Sequence, residues 1–64
     1  MNNLDHILTH IEASAPCSLF SVAAWADSQL NINSTSFVTV IDMLITSNAI
    51  EINTENNALV VDLI

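Results

Sequence analysis

Apolar residues of the chain recur with two different periods, and the change of period divides it into helices and a hairpin. Leu4, Ile7, Leu8 and Ile11 follow the i, i+3, i+4, i+7 spacing of one helical face, with Asp5, His6, Thr9, His10 and Glu12 lying off that stripe. The spacing predicts a first helix over about Asn3 to Ala13. Asn2 or Asn3 is placed to cap it, and Asp5 falls in the first turn, where the helix dipole favours an anion. Ser14-Ala15-Pro16 stops it, because the residue before a proline avoids helical backbone angles. Ser18 stands as N-cap for a second helix over about Leu19 to Gln29. Its apolar positions Leu19, Val22, Ala23, Trp25 and Ala26 wrap widely enough to pack on more than one side.

Asn31-Ile32-Asn33 reads as a turn. The chain contains no glycine, and asparagine is the residue that best tolerates the left-handed angles glycine usually takes. Ser34 or Thr35 is the expected cap of a third helix running to about Ser47, with Phe37, Ile41, Leu44 and Ile45 turned inward and Asn48 where a terminating glycine often sits. Beyond it the period drops to two. Ile50 and Ile52, then Leu59, Val61 and Leu63, alternate with Glu51, Asn53, Val60 and Asp62. Asn53 to Asn57 supplies turn residues between them, so this segment is expected to be a β-hairpin. The fold class is therefore α+β, in one domain spanning residues 1–64.

Three helices followed by a hairpin is the layout of a winged helix. Leu30-Asn31-Ile32, then Phe37, Ile41, Leu44, Asn48 and Ile50-Glu51, resembles the winged helix-turn-helix pattern of bacterial transcriptional regulators. In that pattern a leucine-x-isoleucine turn precedes the recognition helix, and a glycine and a short strand follow it. Here Asn48 stands in the place of the glycine, and Trp25-Ala26 lies about one residue further from Leu30 than the family's leucine-alanine pair. Pro16-Cys17 resembles the family's short first strand. The resemblance implies a DNA-reading third helix and a phosphate-holding wing.

Charge then changes the picture. The chain has no lysine or arginine against seven carboxylates, Asp5, Glu12, Asp27, Asp42, Glu51, Glu55 and Asp62, for a formal charge of −7. A domain of ordinary composition and this length would carry about eight basic residues. Phosphate binding draws on lysine and arginine through counterion release, and here that contribution is absent or opposed. The outward positions of the third helix are Ser34, Thr35, Ser36, Val38, Thr39, Asp42 and Thr46, and the turn of the wing offers Glu55, Asn56 and Asn57. Direct nucleic-acid binding is accordingly not expected.

Other chemistry is sparse. His6 and His10 share a helical face at a spacing that can hold zinc, yet no further strong ligand accompanies them; two solvated histidines is the simpler reading, and no metal or cofactor is expected. Cys17 is the only cysteine, so there is no disulfide framework, and it reads as a small core residue ahead of a nucleophile. No glycine-rich phosphate loop or acid-base pair is evident, and an enzyme is not expected. Trp25 is read as core or half-core ahead of a partner anchor. No segment is apolar for long enough to span a bilayer, and the N-terminus lacks the pattern of a signal peptide, so a soluble cytoplasmic protein is expected.

With 52% hydrophobic residues in so short a chain, a sticky face and a homo-oligomer are expected. The functional expectation is an acidic interaction module: an accessory or inhibitory regulator that binds a basic, nucleic-acid-handling protein as a DNA mimic. Val38, Asp42, Met43, Glu51, Glu55 and Asp62 are the expected contact residues. Two alternatives stand beside it: a transcriptional regulator that binds DNA as an oligomer or with a basic partner, and a structural subunit of an oligomer.

Overall fold

The computed structural model describes residues 2–64. Its elements run α1 (Asn3–Ser14), β1 (Cys17–Ser18), α2 (Leu19–Leu30), α3 (Ser34–Thr46), β2 (Ile50–Glu55) and β3 (Ala58–Leu63). The three strands form one antiparallel sheet in the order β1-β3-β2. This is the α+β arrangement of three helices and a hairpin expected from the two periods, and the short first strand, which only the resemblance implied, lies at Cys17–Ser18.

The helix ends show how a chain without glycine is punctuated. The Asn2 side chain caps α1, accepting the Asp5 backbone N–H at 2.9 Å. Ser18 occupies the N-cap position of α2 but makes no side-chain cap bond. For α3 the expected cap was Ser34 or Thr35; Asn33 takes the position instead, its Oδ1 accepting the Ser36 N–H at 2.8 Å. The shift is one residue, and it follows from Asn33 being the last extended residue before the helical backbone begins.

Every described residue with positive φ is an asparagine: Asn31, Asn48, Asn56 and Asn57. After α3, the Asn48 N–H donates to the Ile45 carbonyl and the Ala49 N–H to the Leu44 carbonyl, both at 3.0 Å. These crossed bonds are a Schellman closure, with asparagine in the left-handed seat that glycine usually holds. Asn56 and Asn57 both take positive φ between the paired residues Glu55 and Ala58. Such angles define a two-residue type I′ turn, tighter than the expected Asn53–Asn57 loop, so Asn53, Thr54 and Glu55 belong to the strand.

The core gathers Ile7 and Ile11 of α1, Val22 and Ala26 of α2, and Phe37, Ile41 and Leu44 of α3. Ile32, Ile50 and Val61 complete it from the turn and the sheet. Leu19, Ala23 and Trp25 pack partly against this core, as a widely apolar α2 requires. Ile45, expected inward, is 40% exposed, because Leu44 closes the end of the core and turns its neighbour outward.

Candidate functional site

Strand register decides what the sheet presents. Ile50 faces Leu63 and Ile52 faces Val61 across β2 and β3, and this layer looks toward the helices. Alternation sends the intervening pairs to the opposite face: Glu51 with Asp62, Asn53 with Val60, and Glu55 with Ala58. Three of the seven carboxylates thus share the outer face of the sheet. Glu51 and Asp62 stand directly opposite each other, with no cation between them among the described residues, an arrangement that costs stability in a sheet. Asn53 donates weakly to Glu51 Oε1 at 3.4 Å, and Asp62 Oδ1 accepts its neighbour's Leu63 N–H at 2.8 Å.

The remaining carboxylates are dispersed, Asp5 and Glu12 on α1, Asp27 on α2 and Asp42 on α3. On α3, Val38, Asp42 and Ile45 follow one another at i, i+4 and i+7 and are all exposed, so this outward stripe is apolar and acidic. Met43, also exposed, lies off that stripe beside Thr39 and Thr46. The six expected contact residues therefore fall into two sets, Val38, Asp42 and Met43 on α3 and Glu51, Glu55 and Asp62 on the sheet.

A third feature was not anticipated from sequence. A groove of about 530 Å³ runs between α2 and the start of α3. Phe20, Ala24 and Asp27 line it along α2, at i, i+4 and i+7, with Leu19 and Ala23 deeper. Ser34 and Val38 of α3 line the opposite bank, with the buried Phe37 and Ile32 beneath and Asn33 beside them. Alanines at 23 and 24 leave the space open, since no larger side chain projects between the helices there. Phe20, 73% exposed, and Val38, 63% exposed, flank it. The signal in the sequence is a large aromatic, Phe20, one place from the packed Leu19, with the small residues Ala23 and Ala24 one turn further along α2.

The singled-out polar residues have plainer surroundings. His10 is half-buried and stacks on Trp25, centroids 4.0 Å apart with planes 10° from parallel. Among the described residues, no three His, Cys, Asp or Glu side chains gather as they do around a metal ion. Cys17 pairs with Val61 in the sheet. Burial, and secondarily the Asp62 carboxylate, push its thiol above the ordinary value, opposite to the activation a nucleophile needs. Among the described residues, no helix is long and apolar enough to cross a membrane.

Compared with known proteins, the chain matches no family model, no curated protein and no solved structure.

Proposed function

We propose that this protein is a small, non-catalytic interaction module of the cytoplasm, an accessory or inhibitory regulator that binds a basic, nucleic-acid-handling protein in place of nucleic acid. The observation that carries the reading is the outer face of the sheet, where Glu51, Glu55 and Asp62 are gathered by strand register in a chain devoid of lysine and arginine. A nucleic-acid reader built on this layout would hold phosphates with cations on the third helix and the wing. Here those elements present carboxylates, hydroxyls and exposed apolar side chains. Negative charge at such positions repels a duplex and attracts the groove of a protein that binds one, speeding and orienting the encounter.

The test is a competition. A labelled duplex is loaded with a purified basic nucleoid protein, and this protein is titrated in. Release of free duplex, weakening as salt rises, is the expected result. Sequence-specific retardation of duplex by the purified protein alone would overturn the proposal and favour a DNA-binding regulator.

A further inference from the structure

We propose that the groove between α2 and the N-terminal half of α3 is a docking site for a cationic amphipathic helix of the partner protein. The partner's apolar side chains fill the groove, and a lysine or arginine at its edge pairs with Asp27. This rests on the reading that the partner is basic, and it assigns the contact to a surface separate from the acidic face of the sheet.

The shape of the site is fixed by residues of three sizes. Ala23 and Ala24 keep the space between the helices open, while Ile32 and Phe37, each 5% exposed, form a firm apolar floor. Phe20 and Val38 stand on opposite banks, and both are more than half exposed. Isolated exposed apolar residues are ordinary on protein surfaces; two large ones facing each other over a concave apolar floor make a binding surface. The volume of about 530 Å³ falls within the range of roughly 300–1,000 Å³ typical of ligand sites.

The chemistry of the occupant follows from the walls. Both banks are helices and neither is a sheet edge, so the groove offers no ladder to an extended strand. It accepts side chains, as grooves that take an amphipathic helix do, through anchors at i, i+3 or i+4 and i+7. Asp27 is the only charged residue in the lining, and the chain has no lysine or arginine to pair with it. A second copy is a poor occupant, because groove-to-groove pairing would bring Asp27 against Asp27 between two bodies each carrying −7. A cationic helix supplies both the missing apolar cover and the missing counter-charge.

The probe is a synthetic amphipathic helix of leucine and lysine, compared with leucine-glutamine and leucine-glutamate peptides of the same pattern, with binding mapped by amide and methyl NMR shifts. The leucine-lysine peptide is expected to perturb Phe20, Ala24 and Val38 and to outbind the other two, with a salt-sensitive affinity. Phe20→Ser should weaken it about tenfold and Asp27→Asn about threefold. Val38→Thr provides a second, milder loss, and Trp25 fluorescence verifies that each variant is folded.

Shifts confined to Glu51, Glu55 and Asp62 would overturn the groove while leaving the proposed function standing. Equal binding of the leucine-glutamine peptide, or no effect of Asp27→Asn, would overturn the cationic occupant. Failure of the leucine-lysine peptide to bind would overturn the site. So would concentration-dependent shifts at Phe20 and Val38 without peptide, which would mark a second copy as the occupant. Failure of the proposed function itself is read separately, in the duplex assay.

Discussion

His10 of α1 lies flat against Trp25 of α2, with ring centroids 4.0 Å apart and planes 10° from parallel. The contact joins two helices outside the aliphatic core and half-covers the single tryptophan of the chain. His10→Ala is expected to cost about 0.5–1.5 kcal/mol in urea unfolding and to shift Trp25 emission to the red. His10→Phe, which restores a stacked ring, should recover most of both. Unchanged emission in His10→Ala would show that the stack does not shield the indole.

Asn48 holds the left-handed seat that ends α3, with φ of 63°. Asn48→Ala places a less tolerant side chain there and should cost about 1–2 kcal/mol, whereas Asn48→Gly should be neutral or stabilising. The same pair of substitutions at Asn57, φ 65°, tests the hairpin. Denaturant midpoints are the readout, and an alanine variant as stable as its glycine counterpart would contradict the left-handed assignment.

Glu51 and Asp62 oppose each other across the hairpin in a chain with no lysine or arginine. Removing one charge by Glu51→Gln should raise Tm by about 1–4 °C at low ionic strength. Added salt should raise the wild-type Tm and shrink that difference, because screening relieves the same repulsion. A wild-type Tm that falls on adding sodium chloride runs against this account.

The Cys17 thiol is pushed above its ordinary value, first by desolvation and then by the Asp62 carboxylate. The folded state therefore holds the thiol proton more tightly than the unfolded chain does. This contribution to stability is complete below the ordinary thiol value and is lost as pH rises from there through the raised value. Iodoacetamide should alkylate the native protein at about pH 8 more slowly than the urea-unfolded chain, since the thiolate is the nucleophile. Asp62→Asn should speed the native reaction; equal native and unfolded rates would refute the assignment.

Leu44, 2% exposed, and Phe20, 73% exposed, should respond oppositely to truncation. Leu44→Ala is expected to cost about 2–5 kcal/mol. A chain of this length has only on the order of 3–10 kcal/mol in total, so much of the variant should be unfolded by circular dichroism. Phe20→Ser should leave the spectrum and Tm nearly unchanged. Strong destabilisation by Phe20→Ser would mean that Phe20 serves the fold rather than a partner.

Local structure was largely legible because it depends on near neighbours. The stripe from Leu4 to Ile11 marked α1, and alternation from Ile50 to Leu63 marked the hairpin. Asparagines took the seats glycine would hold, since a left-handed residue is chosen by its own backbone angles. Two departures from expectation are also local, whereas the exposure of Ile45 is a matter of packing. Asn33 rather than Ser34 or Thr35 caps α3, and the hairpin turn is the two residues Asn56-Asn57, because a cap or a tight turn is fixed by the single residue at which the backbone angle changes.

The elements, their order and a charge of −7 without lysine or arginine follow from residue type and period. Which of those residues meet follows from how the elements pack. Antiparallel register set Glu51 against Asp62 on one face of the hairpin and left Asp5, Glu12, Asp27 and Asp42 dispersed over the three helices. The packing of α2 on α3 opened the space beside Ala23 and Ala24 and left Phe20 and Val38 uncovered on its banks. Periodicity reports which side of an element is apolar; whether that side is covered depends on a neighbour that periodicity does not specify.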